Sequence, residues 1–204
     1  MYKLLGRSTS GNVQKVMWLL NELGVDYVRE DYGRQFENTG GDYLTLNPTG
    51  KVPTLVEDGN IIWESNTILR YICRREQSTF IPADPVEQAS METWMDWQLA
   101  SLNGPYLDVF KASRKPEEER GSAFKDMAMA LVSQLQILDG RLADNIWASG
   151  EKFSLAEFCL GPIVHRCLNF PIELPPLDHL QDWHERLMEK DHFIEVVGPK
   201  PVTG

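Results

Sequence analysis

Three short stretches of this chain carry polar side chains where strand signals give way to helix signals. The first is Arg7-Ser8-Thr9-Ser10-Gly11-Asn12, between an apolar run and a helical pattern. It offers hydroxyl and amide donors beside the unpaired N–H groups that open a helix, a setting that stabilises an anion, a thiolate included. Read alone, Ser10 or Asn12 serves equally as an ordinary N-cap. The second is Val52-Pro53. A proline at this point either opens an edge strand in trans or interrupts the ladder through a cis bond, turning the Val52 N–H and C=O toward a ligand backbone. The third is Glu64-Ser65, directly after Ile61-Ile62-Trp63. A carboxylate beside a hydroxyl and free N–H groups can hold the ammonium and carboxylate of an amino acid, or simply cap the next helix. The three strand ends fall on one edge of the expected sheet, where open α/β sheets bind their ligands.

Other chemistries find no support. His165, His179, His184 and His192 lie apart with no metal-ligand spacing, so no metal is expected, and His165 reads as a hydrogen-bonded core or interface histidine. There is no GxSxG elbow, no GxGxxG and no phosphate-binding GK[ST] loop. Cys73, Cys159 and Cys167 show no CxxC spacing and fall in helical patterns, reading as packed, reduced thiols of a cytosolic protein. Tyr106, Phe110 and Arg114 share one helical face at i, i+4 and i+8 after Gly104-Pro105. They line either a second-substrate pocket or a domain interface.

Elements that position these residues alternate over the first 75 positions. Tyr2 to Leu5 reads as a buried strand stopped by Gly6, and Val13, Val16, Met17, Leu20 and Leu23 as one helix face stopped by Gly24. Residues 25–28 form a second strand, and residues 33–42 hold too many turn formers to assign. Residues 52–56 and 61–63 flank Asp58-Gly59, a two-residue hairpin signature. A helix capped by Ser65 or Asn66 follows, with Ile68, Leu69 and Ile72 as its apolar face. A parallel βαβ start joined to an antiparallel hairpin gives a mixed sheet with helices on its faces.

Beyond residue 83 only helix signals remain. Asp84, Pro85 and Glu87 supply an N-cap, an N1 proline and an N3 acid for a helix bearing Met91, Trp94, Met95, Gln98 and Leu102, broken at Gly104-Pro105. Pro116 and three glutamates open the next, with Leu131, Leu135, Leu138 and Leu142 as its core stripe. Ser154 and Glu157 form a capping box, with Phe153 stapling onto Phe158. Prolines 171, 175 and 176 precede a last helix carrying Leu180, Trp183, Leu187 and Met188.

At 204 residues, 42% hydrophobic and 25% charged, the chain has an ordinary globular composition, with no run long enough to span a bilayer and no signal-peptide pattern at its start. Its net charge of −10 is uneven: residues 1–75 hold nine basic and nine acidic side chains, residues 76–204 eleven and twenty-one. An acidic surface repels phosphate backbones and anionic lipid, so neither nucleic acid nor a membrane is an expected partner. The change in balance suggests a boundary near residue 76.

Five segments resemble one known family. R-S-T-S-G-N-V-Q-K-V-M-W-L-L-N-E-L from Arg7, N-P-T-G-K-V-P from Asn47 and W-E-S-N-T-I-L-R-Y-I from Trp63 are similar to the N-terminal half of cytosolic glutathione S-transferases of the bacterial theta-like type. Trp94-Met95-Asp96-Trp97 and Phe153-Ser154-Leu155-Ala156-Glu157 are similar to the second half. The resemblance implies an α/β thioredoxin-like domain over residues 1–76 that binds glutathione, and an all-α helical domain over residues 84–204 that supplies the electrophile pocket. It also implies a cytoplasmic homodimer active in detoxification. Carried over, Val52 hydrogen-bonds the cysteinyl backbone of glutathione, Glu64 and Ser65 hold its γ-glutamyl end, and Lys51 meets its glycine carboxylate, with Asn38 or Thr39 assisting. Ser10 is the hydroxyl on the sulfur and Asn12 a second donor. Tyr106, Phe110 and Arg114 face the small electrophile. No tyrosine stands at position 7 and no cysteine at position 10, which removes tyrosine-type and mixed-disulfide chemistry. The alternatives are a glutathione-dependent peroxidase or thiol reductase, and a non-catalytic glutathione-fold binding protein.

Overall fold

A computed structural model describes residues 1–198. Four short strands form one mixed sheet in the order β2-β1-β3-β4: β1 (Tyr2–Leu5), β2 (Tyr27–Glu30), β3 (Thr54–Glu57) and β4 (Asn60–Trp63). β1 runs parallel to β2, with Tyr2 opposite Tyr27, and antiparallel to β3, with Leu4 opposite Leu55. β3 and β4 form the expected hairpin, and positive φ at Asp58 and Gly59 supplies its two-residue turn.

Helix α1 (Gly11–Glu22) follows β1 and is stopped at Gly24, as the apolar pattern suggests. Gly24 takes φ +64, its N–H bonds to the Asn21 carbonyl, and the Val25 N–H bonds to that of Leu20. This is a Schellman closure, so Val25 belongs to the helix end and β2 begins at Tyr27 instead of residue 25. The expected single apolar stripe is also incomplete. Met17 and Leu23 are only half-buried, whereas Lys15, Trp18 and Leu19 are buried. α1 packs against later helices as well as its own half of the chain, so it needs more than one covered face.

Residues 33–42 contain a 3-10 turn, Arg34–Phe36, and lead into α2 (Asp42–Leu46). α3 (Ser65–Arg75) starts one residue earlier than a serine cap allows: Glu64, at φ +69, is the cap residue and Ser65 already lies inside the helix.

α4 (Pro85–Trp97) begins as expected, with Asp84 accepting from the Val86 and Glu87 N–H groups. It does not break at Gly104-Pro105. A wide π segment, Gln98–Leu102, joins it directly to α5 (Asn103–Ser113), leaving Pro105 in the first turn of α5. The five-residue hydrogen-bond spacing re-phases the helix and absorbs the missing proline N–H. The three glutamates after Pro116 form only a 3-10 turn; Gly121, at φ +76, intervenes before α6 (Phe124–Leu142). All four leucines of the expected α6 stripe are buried.

α7 (Leu155–Leu168) opens with the complete Ser154/Glu157 capping box, and the Phe153 and Phe158 rings meet edge-on at 5.3 Å. α8 (Asp178–Met188) follows, then α9 (Asp191–Val196), which the sequence pattern did not reveal. Six residues carry too few periods to register, yet Phe193 and Val196 are buried, with the Phe193 ring 4.7 Å from that of Trp18.

The architecture is thus an α/β N-terminal half and a helical C-terminal half. α1 joins them, packing against α3 on one side and α7 and α9 on the other.

Candidate active site

The β1–α1 loop is held by its own backbone: the Ser10 N–H bonds to the Arg7 carbonyl, and the Gln14 N–H bonds to the Ser10 carbonyl. Ser10 occupies the N-cap position of α1, but its hydroxyl makes no capping bond. It faces instead a cleft of about 350 Å³ that Thr9, Gly11 and Asn12 also line. The first N–H groups of α1 lie beside it, without intrahelical acceptors. Asn12 is tied in place through its carbonyl oxygen, which accepts from the Ser65 hydroxyl at 3.4 Å, leaving its NH₂ as a donor.

The opposite lip is the segment before β3. Val52-Pro53 is cis, and the β1–β3 ladder begins only at Thr54, so the Val52 backbone lies outside it. Tyr43 and Asn47 both donate to the Lys51 carbonyl, at 2.7 and 2.8 Å, and Asn47 also accepts from Thr49. These bonds fix the backbone of residues 47–52 and leave the Lys51 side chain exposed at the rim. Thr39 closes this side.

The third wall comes from the helical half. Tyr106 and Phe110 stack at 5.8 Å on α5, and Phe170 backs both rings. The first turn of α1 sits flush on α7: a Cβ added at Gly11 would come within 2.9 Å of Ile163 and 3.2 Å of the Arg166 guanidinium. Arg166 donates to the Thr9 carbonyl and to Gln14, each at 2.8 Å.

Of the residues singled out from sequence, Ser10, Asn12, Thr39, Lys51, Val52, Tyr106 and Phe110 therefore meet around one cleft. Ser65 is linked to it through Asn12, and Glu64 stands beside Ser65 with its strained backbone. Asn38 lies outside the lining. It bridges the loop instead, donating to the Asp31 carbonyl at 2.7 Å and accepting from the Gly33 N–H at 2.9 Å. Arg114 is also outside, exposed at the end of α5.

The lining residues that were not singled out include three arginines, Arg7, Arg34 and Arg166. Arg7 was visible within its loop as a mere flanking residue. Arg34 fell in the segment without pattern, and Arg166 joins the cleft only through the packing of α7 on α1. Burial and the neighbouring guanidinium charges of Arg34 and Arg166 lower Arg7 to about 10.

The remaining titratable groups sit elsewhere. His165 bonds His184 at 2.9 Å, and burial lowers it to about 4, as befits a neutral core histidine. The three cysteines are free and buried, each raised by burial, and none lines the cleft. Lys15 is only 1% exposed and donates to Gln98 at 2.8 Å and Asn66 at 3.4 Å; burial lowers its pKa. A second hollow of about 590 Å³ between α6 and residues 171–173 holds none of these donors. No helix among the described residues is long and apolar enough to cross a membrane.

Known proteins share the family pattern and the fold of this chain. Residues 9–75 match the family model of the glutathione S-transferase N-terminal domain, and residues 105–191 that of the C-terminal domain. Glutathione S-transferase GstB of Escherichia coli K12 is 34% identical over 203 residues, covering 97% of this chain and 98% of GstB. Disulfide-bond oxidoreductase YfcG of the same organism is 26% identical, covering 88% and 86%. Among solved structures, the glutathione-bound theta class glutathione S-transferase of Xanthomonas axonopodis pv. citri superposes with a TM-score of 0.92 at 33% identity, covering 98% of both chains.

Proposed function

This chain belongs to the glutathione S-transferase family, and from that premise we propose that the cleft binds glutathione and makes its thiol nucleophilic toward small electrophiles. The observation that carries this reading is the Ser10 hydroxyl, uncommitted to capping, beside Asn12 and the start of α1.

Val52, outside the ladder, pairs with the cysteinyl backbone. Glu64 and Ser65 take the γ-glutamyl ammonium and carboxylate, Lys51 the glycine carboxylate, and Thr39 closes over that end. Asn38 acts indirectly, by holding the loop.

A free thiol titrates near pH ~8.5, so only about 3% is ionised at neutrality. Lowering it by about two units requires roughly 3 kcal/mol, within reach of one or two hydrogen bonds to an ionised acceptor at about 1.5–3 kcal/mol each. Ser10 and Asn12 supply those donors, and the cations lining the cleft add a favourable field. The thiol proton leaves to solvent, and the thiolate attacks an electrophilic carbon held against Tyr106 and Phe110.

YfcG, a relative named for disulfide chemistry, favours a second reading in which the electrophile is a disulfide or peroxide sulfur or oxygen. In either case the nucleophile comes from the bound tripeptide, since no protein thiol lines the cleft. We place the protein in the cytoplasm, as a homodimer whose domains meet between residues 76 and 84. Exposed apolar side chains on β4 and α4, Ile61, Trp63 and Val86 among them, support the dimer.

Calorimetry with glutathione, paired with turnover of a chlorodinitrobenzene-type acceptor, tests the reading. Millimolar or tighter binding with turnover is expected. Absence of binding makes the fold a scaffold only, and turnover confined to peroxides or disulfides selects the second reading.

A further inference from the structure

The electrophile side of the cleft has the wrong charge for the protein that carries it. The chain is strongly acidic, at −10. Yet the lining holds Arg7, Arg34, Lys51 and Arg166 and, among the described residues, no aspartate or glutamate. Lys51 sits on the lip assigned to the glycine carboxylate, whereas Arg166 stands on α7, Arg34 lies over Phe110 of α5, and Arg7 lies against Gly33 between them and the lip of Val52 and Thr39.

Their positions are built in. Gly33, at φ +85, lets the Arg7 guanidinium lie against the loop backbone; a Cβ there would approach its Nη1 to 2.9 Å. Arg7 Nε is shielded from solvent with no acceptor. Arg34 lies over the Phe110 ring, its guanidinium carbon 5.0 Å from the centroid. Arg166 is anchored to two neutral acceptors, so its charge is not cancelled by them. Burial above all, then Arg34 and Arg166, lowers Arg7; burial above all, then Arg114 and Arg166, lowers Arg34. Mutual repulsion of this kind is relieved when a small anion enters.

We propose that Arg7, Arg34 and Arg166 form a carboxylate pocket, so that the preferred electrophile is an organic acid whose planar or unsaturated body rests on Tyr106 and Phe110. The proposal rests on the glutathione reading above and names its second substrate class. Arg34 is the specificity residue, because it touches both the aromatic floor and the anionic end.

Two acceptors of nearly one shape provide the test: 4-chloro-3,5-dinitrobenzoate and 4-chloro-3,5-dinitrobenzamide. In both, a sulfur–carbon bond forms, the carbon–chlorine bond breaks, and chloride leaves with its electron pair. With each kcat/KM divided by its uncatalysed rate constant, the wild type is expected to favour the carboxylate at least tenfold. Arg34→Gln and Arg7→Gln are expected to bring that ratio to within about threefold of one, and Arg34→Lys to recover part of it. Unsubstituted benzoate is expected to compete with the acceptor and not with glutathione, a readout independent of any variant. Equal handling of the two acceptors by the wild type overturns the pocket, as does an equal loss on both in Arg34→Gln, which assigns the arginines to glutathione. If calorimetry shows that glutathione itself does not bind, the underlying reading fails. If glutathione binds and the amide reacts as well as the acid, the pocket alone fails.

Discussion

At the scale of single residues, Ser10 and Asn12 are expected to divide the work of ionising sulfur. Ser10→Ala or Asn12→Ala should lower kcat/KM with a chlorodinitrobenzene-type acceptor at least tenfold, the loss of about 1.4 kcal/mol or more of thiolate stabilisation. Steady-state kinetics of both variants checks this, and a loss below tenfold in each contradicts it. These two residues are legible in sequence because strand, loop and helix are contiguous there. Arg166 is not, because it reaches Thr9 across 157 positions through the contact of two helices. Lys15 shows the same limit in reverse. Nothing in the sequence marks Lys15 as buried, and only the structure reveals Gln98 and Asn66 accepting from its ammonium.

At the scale of elements, two of the helix caps were readable, whereas the start of α3 was not, since Glu64 and not Ser65 is its cap residue. Asp84 and Ser154 form the caps their neighbours suggested, because a cap is decided within four residues. The Gly104-Pro105 break was misread because a π segment earlier in the same helix accommodates it, and nothing local announces that choice. The Ser154 hydroxyl bonds the Ala156 N–H and Glu157 at 3.2 and 3.0 Å, so Ser154→Ala is expected to cost about 1–2 kcal/mol. Denaturant unfolding measures the cost, and glutathione affinity should stay unchanged because the box lies outside the cleft lining. Gly161 lies where α7 meets α1 and α9, and a Cβ there would stand 3.0 Å from both Trp18 and Phe193. Gly161→Ala is expected to destabilise by about 1–3 kcal/mol in the same measurement; an unchanged midpoint would show that the aromatic cluster yields freely.

For the molecule as a whole, the fold class was readable from the order of strand and helix patterns, whereas the joining of the two halves was not. α1 belongs by sequence to the first half, yet its buried faces also serve the second. Stability should depend on pH through Glu157, which is fully enclosed and receives the Ala148 and Ser154 N–H groups at 2.8 and 2.9 Å. Burial outweighs these bonds and raises its carboxyl from 4.5 to about 7. The folded state therefore holds this proton more tightly than the unfolded chain. The stabilising contribution is complete below the unfolded value and is lost as pH rises through about 7. Thermal unfolding at low and high pH should show the wild type losing about 3 kcal/mol relative to Glu157→Gln across that window; a constant difference contradicts it. Sedimentation should give twice the 23.3 kDa of one chain.

Donors at the opening of α1 are expected to ionise the sulfur of bound glutathione. The most direct test is ultraviolet titration of the thiolate in the binary complex with glutathione. The midpoint is expected about two units below that of the free thiol, moving back upward in Ser10→Ala or Asn12→Ala. A midpoint equal to that of free glutathione, unmoved by either substitution, would contradict it.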